Sequence, residues 1–221
     1  QGRDIFSAIL YGMRTSLLVG SLSTLGALAL GLLFGLSAAW FRGWVEIFIM
    51  RVADLQLSFP SILIALVLLA ILGQGMEKII FALIAVQWAY YARTARATAL
   101  AEREKDYIGA ATALGLKTHR IIFRHLLPNC LPPLMVVATV QVAAAISLEA
   151  TLSFLGLGLP ITEPSLGLLI ANGYAYMLSG KYWISFFPGL ALLVLIVSIN
   201  LVADRLRDLL DPRRRGVGAD G

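Results

Sequence analysis

Four stretches of the chain carry no charged residue: Thr15–Phe41, Leu55–Met76, Leu126–Leu148 and Tyr182–Ala203. Each exceeds the roughly 20 residues that an apolar helix needs to cross a bilayer. A fifth run, Ile79–Ala92, is shorter. It reaches across if Arg93 and Arg96 extend their stems toward the headgroups. Five spans are therefore expected. Uncharged runs of this length set the chain apart from a soluble protein with buried core helices. Between the third and fourth spans the pattern changes abruptly. Glu102–Pro128 reads EREKDYIGAATALGLKTHRIIFRHLLP, a polar, basic stretch with an Ala-Ala pair, a spaced Gly and a closing Leu-Pro.

The composition agrees, with 59% hydrophobic and 14% charged residues and a mean hydropathy of +0.83. The net charge of +5 would suit nucleic acid, but its distribution reads as topology. If the 102–128 loop faces the cytoplasm, all but Arg3, Arg14, Lys78 and Lys181 of the 18 Lys and Arg residues fall on that side, as orientation by basic loops requires. Nucleic acid is not an expected partner; membrane lipid is. Five spans and a cytoplasmic C-terminus place Gln1 outside. Because the chain begins at Gln1 and not at Met, an upstream sixth span is expected in the intact protein. Gln1–Arg14 lacks the basic start and apolar core of a signal peptide.

The expected organisation is an outer-face lead-in over 1–14, a membrane domain over 15–208, an inner loop over 102–128, an outer region over 151–183 and a tail over 209–221. Ile5, Phe6, Ile9 and Leu10 recur at helical spacing in the lead-in. Gly31 and Gly35, four apart, form a candidate helix-packing face. Asp54, Gln56, Ser58 and Pro60 make a polar, kink-prone stretch in the second span. Polar groups at such depth tend to face protein or water, so these four are candidate path-lining residues, with an Arg51–Asp54 pair on one helix face as the alternative. Pro60 is expected to bend its helix. The third span is expected to continue as helix to Leu114, with Gly115 as its cap. A short helix over Thr118–Leu127 should end at Pro128. Residues 153–183 hold Pro160, Pro164 and several glycines and aromatics. They are too broken to span yet too apolar for a free loop, which predicts an outer hairpin or interfacial helix. Glu149 could line an outer gate or serve as a structural cap. Cys130 is read as a packing residue.

Much chemistry is missing. No phosphate-binding GxxxxGK[ST] loop occurs. His119 and His125 are six apart and do not share a helix face as metal ligands would. No nucleophile elbow is present. Ionisable groups sit at the ends of the spans, whereas ion-coupled carriers need them near the midplane. Neither a catalytic site nor a bound metal or cofactor is expected. Transport powered from elsewhere is favoured over a self-contained channel or ion-coupled carrier.

The 109–128 segment resembles the cytoplasmic signature of ABC-importer permeases: Glu-Ala-Ala, three residues, Gly, nine residues, Ile, any residue, Leu-Pro. Gly109-Ala110-Ala111, Gly115 and Leu127-Pro128 fit the spacing, with Gly109 in place of Glu and His125 in place of Ile. RIIFRHLLPN, from Arg120 through Ile121 to Asn129, is similar to the dipeptide/oligopeptide/nickel branch, as are the opening GRDIFSAILYGMRTSLLVG, GWVEIFIMRVADLQLSFPSI, LEATLSFLGLGLP and FPGLALLVLIVSINLVADRLRDLLDPR. The resemblance covers nearly the whole chain. It implies an all-α, polytopic helical bundle of the type I importer permease fold. It also implies a second homologous permease, two cytoplasmic ATPase subunits that hold ATP and Mg, and an extracytoplasmic solute-binding protein docking on the 153–183 region. The ATPase-coupling residues it implies are Gly109, Ala110, Ala111, Gly115, Arg120, Ile121, His125, Leu127 and Pro128. The cargo would be a dipeptide, a longer peptide, glutathione, a nickel chelate or an opine.

Overall fold

A computed structural model describes residues 4–210 apart from position 161. Among these the elements are helical: α1 (Ile5–Phe41), α2 (Gly43–Leu57), α3 (Ser61–Leu72), α4 (Met76–Arg103), α5 (Asp106–Ala113), α6 (Thr118–Ile121), a π-helical turn (Ile122–Leu126), α7 (Leu127–Phe154), α8 (Leu166–Tyr174), a 3₁₀ turn (Met177–Ser179) and α9 (Trp183–Leu210). The segment after Leu210, where the tail was expected, lies outside the described residues.

Asp4 starts α1. Its carboxylate accepts from the Phe6 and Ser7 amides at 3.2 and 3.0 Å and from the Ser7 hydroxyl at 2.6 Å, satisfying donors a helix start otherwise leaves open. The expected lead-in and first span are thus one helix of 37 residues, about 55 Å long at 1.5 Å per residue. Gly31 and Gly35 set its contact with α4. A Cβ on Gly31 would lie 2.2 Å from the Tyr91 Cβ, and one on Gly35 would lie 2.5 Å from the Ala92 carbonyl oxygen. The glycine face therefore packs inside the chain. Buried Tyr91, Ala95, Leu126, Cys130 and Leu134 complete a core around it. A second core, with Val19, Leu69, Ile79, Leu83 and Leu152, joins α1, α3, α4 and α7 nearer the opposite end.

Among the described residues, three continuous helices are long and apolar enough to cross a membrane: α1, Thr118–Phe154 and α9. The expected second span is broken. α2 and α3 meet at 93°, and α3 has only 12 residues, about 18 Å. Pro60 lacks the N–H a continuing helix would use and forces the residue before it out of the helical region. α4 has the length of a span, 28 residues, but Gln87, Arg93 and Arg96 dilute its apolar character. It is shielded by packing against α1, α2, α3 and α7.

Two further expectations are corrected. α4 stops at Arg103 and a turn at Glu104-Lys105 separates it from α5. Pro128 does not end an element, because Thr118–Phe154 runs through it without a break. The π turn explains the continuity: the Leu127 amide donates to the Ile122 carbonyl, five residues back. That shift of hydrogen-bond register places Pro128 in the first turn of α7, where no N–H is required.

The region after α7 folds back on the bundle. Gly156, at φ +81, closes α7; its amide donates to the Ser153 carbonyl and that of Leu157 to the Leu152 carbonyl. α8 then lies against α7 so closely that a Cβ on Gly167 would sit 2.3 Å from the Ala150 carbonyl oxygen.

Replacing Gly31 with Val should push α1 off α4. The expected loss is about 1–3 kcal/mol or more, the usual cost of overpacking, seen as a lower thermal midpoint of the detergent-purified protein. Gly109→Ala, at a helical position with open space around it, should leave the midpoint unchanged or raise it by up to about 1 kcal/mol equivalent.

Candidate functional site

The loop between α4 and α7 has its own small core. Ile108 and Ala111 of α5 and Ile121 of α6 are buried together, with Leu116 and Trp40 packed against them. Gly115 makes this possible. Its φ of +71 reverses the chain. Its amide donates to Thr112 and that of Leu116 donates to Ala111, the paired bonds that close a helix C-terminus, with Leu116 folded back on its last turn. Of the expected Ala-Ala pair, only Ala111 is buried, at 5% exposure; Ala110 is exposed. Gly109 is also exposed, as are Arg120 and Pro128, while His125 and Leu127 are half-buried. Leu114, at 80% exposure, and Phe123, at 67%, are large apolar side chains turned outward from the loop.

Polar contacts fasten the loop to the bundle. The Arg103 guanidinium donates to the Ala39 and Trp40 carbonyls, both at 2.8 Å, and stacks on the Trp40 ring. It thereby satisfies carbonyls that the end of α1 leaves open and places a cation at the negative end of its dipole. Lys105 donates to Glu102 Oε1 and the Tyr107 hydroxyl to Glu102 Oε2 at 2.7 Å. Asn129 of α7 donates to the Tyr107 hydroxyl at 3.2 Å and to the His125 carbonyl at 2.7 Å. Burial raises the Glu102 carboxyl, but the hydrogen bonds from Lys105 and Tyr107 outweigh it and hold it below the usual range. The Tyr107 hydroxyl is pushed up to about 12, first by burial and then by Glu102. Neither the Arg103 cap nor the Glu102–Tyr107–Asn129 chain was anticipated. The Arg103 bonds join residues 63 and 64 apart and the Asn129–Tyr107 bond residues 22 apart, beyond the reach of local pattern.

The path candidates of the second span separate. Asp54 pairs with Arg93 at 3.4 Å, not with Arg51, and Glu46 accepts from Arg96. These groups surround a groove of about 640 Å³ between α2 and α4. Gln56 donates to the Ala85 and Val86 carbonyls of α4, at 2.6 and 2.8 Å. Ser58 donates to the Asp54 carbonyl, and Pro60 is exposed at the α2–α3 corner. Glu149 is fully buried. Its carboxylate accepts from Ser16 of α1 at 3.0 Å and from Ser153 at 2.7 Å. Asp54, Gln56, Ser58, Pro60 and Glu149 therefore do not line one common surface.

Two grooves between α4 and α7 do form one surface. A groove of about 890 Å³ holds Tyr90, Thr94, Thr98, Glu102, Gln141 and Arg207 among its walls. A smaller one, about 370 Å³, shares Tyr90 and Gln141 and adds Gln87, Ser147 and Thr151. The four-residue spacing of Tyr90, Thr94, Thr98 and Glu102 was the signal available in the sequence. No group of three or more potential metal ligands occurs among the described residues.

The profile of the binding-protein-dependent transport system inner membrane component matches residues 31–216. The chain belongs to this family. The permease is 43% identical over 217 residues to a Brucella suis transport system permease protein, spanning 98% of this chain and 73% of that one. It is 39% identical to the dipeptide transport system permease protein DppC of Alkalihalophilus pseudofirmus, over 97% of this chain and 70% of that protein. Its fold matches a subunit of the MetNI methionine ABC transporter in an inward-facing conformation, with a TM-score of 0.76 and 21% identity over 96% of this chain and 100% of that one. The fold is that of a type I importer permease, a multi-pass membrane protein, and the permease is one component of a transport complex.

The Glu102 linkage has a definite sign. A carboxyl held low in the folded state stabilises fully above its unfolded value and loses that contribution as pH falls through the folded one. Amide exchange protection around Tyr107 and Ile108 should hold from pH 8 to about 5 and fall below about 4.5. Glu102→Gln should flatten that dependence. A wild-type profile unchanged down to pH 3 would refute the role given to Glu102.

Proposed function

We propose that the permease carries peptides or closely related small solutes inward, driven by ATP hydrolysis in partner subunits, and that residues 102–128 receive the drive. The cargo class rests on relatives named for dipeptides, for di- and tripeptides in Pseudomonas aeruginosa at 39% identity, and for glutathione in Pectobacterium atrosepticum at 36%. The complex comprises a second homologous permease, two ATPase subunits holding ATP and Mg, and a solute-binding protein on the α8 side. The permease itself is non-catalytic. Loop 102–128 and the C-terminus face the cytoplasm.

One observation carries the coupling role. The loop is a self-cored unit whose second helix continues without a break into α7. A load on Leu114, Gly115 or Arg120 therefore reaches the bundle as a rigid displacement. Gly109, Ala110, Ala111, Ile121, His125, Leu127 and Pro128 shape the same lever. Exposed Leu114 and Phe123 give an ATPase groove apolar side chains to bury, each worth about 1.5–3 kcal/mol. Arg120 and Lys117 add charge at the rim. Bistable packing between α4, α7 and α9 would convert the displacement into alternating access.

Leu114→Asp tests the reading, because Leu114 makes no core contact. The variant should fold with an unchanged thermal midpoint, yet in proteoliposomes with its partners lose ATPase association and at least about tenfold of ATP-dependent peptide uptake. Full uptake by the variant would remove the loop as the coupling element.

A further inference from the structure

Gln87 is only 4% exposed and stands midway along α4. Its Nε2 donates to the Gln141 main-chain carbonyl of α7 at 3.3 Å. A carbonyl can only accept, so this contact fixes the orientation of the amide: the NH₂ faces α7 and Oε1 faces away. Gln87 Oε1 has no hydrogen-bond partner, although its residue walls the smaller groove. A buried carbonyl oxygen left without a donor carries a desolvation penalty that native structures rarely leave uncompensated. The Tyr91 and Thr24 hydroxyls, also buried, face each other; Tyr91 packs on α1 at Gly31, and neither lines either groove.

The Ser147 and Thr151 hydroxyls of the smaller groove and the Thr94 and Thr98 hydroxyls of the larger one share its polarity. Thr94 donates to the Tyr90 carbonyl, Thr98 to Thr94, Ser147 to Ala143 and Thr151 to Ser147, all within their own helices at 2.8–3.0 Å. Their protons are used, and only oxygen lone pairs remain for the grooves. The residues lining the smaller groove carry no charge. Gln87 Oε1 and the Ser147 and Thr151 oxygens thus offer acceptors to the smaller groove, beside the Ser61, Tyr90 and Gln141 side chains, and this groove meets its larger neighbour at Tyr90 and Gln141.

Resting on the peptide-import reading above, we propose that Gln87 contacts the cargo during passage, accepting a hydrogen bond from a backbone amide N–H and so favouring amide-linked solutes over their ester counterparts. Gln56 acts as a positioning residue beside it, since its two bonds to the Ala85 and Val86 carbonyls hold the turn of α4 that precedes Gln87.

The test uses the whole complex in proteoliposomes, with the binding protein saturated in turn by trialanine and by the analogue in which the peptide N–H groups are replaced by ester oxygens. Saturation confines the comparison to steps after docking. The wild type should move the amide about tenfold faster, the discrimination of one hydrogen bond to a buried acceptor. Gln87→Leu should bring the ratio close to one, and Gln87→Asn should restore part of it. A ratio unchanged by Gln87→Leu overturns the proposal while leaving peptide import intact. Absence of ATP-dependent trialanine uptake by the wild type defeats the peptide-import reading instead, and the inference with it. If Gln87→Leu does not assemble, Tyr90→Cys and Gln141→Cys in a Cys130→Ser background decide the matter. Labelling by a small hydrophilic thiol reagent that trialanine suppresses supports the proposal; labelling that trialanine leaves unchanged, or no labelling, as when a partner permease helix fills the groove, overturns it.

Discussion

At Gly31 and Gly35 the main chain of α1 rests on the main chain of α4. No side chain can stand between them, because the first carbon of one would overlap Tyr91 or the Ala92 carbonyl. This close approach lets α4 sit at the centre of the bundle although it is the least apolar of the long helices. Lipid offers no hydrophobic gain for helix association, so van der Waals contact at short range has to supply the attraction. Once α4 is held there, Tyr91, Ala95 and Ala99 face the α1 side, while Tyr90, Thr94 and Thr98 turn toward α7 and form the groove wall. The same contact brings the ends of α1 and α4 together, which places Arg103 over Trp40 and gives the 102–128 loop its foundation.

Backbone hydrogen bonding governs the rest. A membrane interior leaves no water to rescue an unpaired N–H or C=O, and each irregularity has an identifiable remedy. The α2–α3 corner at Pro60 lies at the edge of the bundle, where Ser58 bonds back to Asp54. The start of α7 tolerates Pro128 because a π turn has shifted the register. The end of α1 is satisfied by Arg103 from another helix. Glu149, the one buried carboxylate of the bundle among the described residues, has two serine hydroxyls, and one of them also accepts from the Leu166 amide at the start of α8. Gln87 Oε1 departs from this rule at a position that lines a groove, which is why it points to a missing donor and not to a packing fault.

The loop and the grooves share one mechanical element. Thr118–Phe154 is a single helix that carries Ile121 in the loop core, Gln141 at the junction of the two grooves and Glu149 beneath α8. Displacement at one end must be absorbed by rotation or sliding along that whole length, since a helix compresses little. The partition of the candidate path residues follows from the same geometry. Asp54, Gln56 and Ser58 belong to the brace that α2 forms against α4, and the groove wall belongs to α4 and α7.

Much was already decided along the chain. Uncharged runs define most of the membrane-crossing segments because the energy of burying charge in lipid acts locally and per residue. Gly115 was legible as a left-handed helix end, since no other residue type enters that conformation so readily, and the spacing of Gly109-Ala110-Ala111, Gly115 and Leu127-Pro128 identified the loop. What the linear pattern could not decide were contacts between segments remote in sequence. These include the use of the Gly31/Gly35 face against α4, the exchange of Asp54 from Arg51 to Arg93, the Arg103 cap and the burial of Glu149. The continuity through Pro128 escaped notice for a different reason, because a π turn leaves no compositional trace. Hydropathy and backbone propensity are properties of single residues and their neighbours; which polar atoms find partners, and which are left facing a groove, is settled only when the helices are packed.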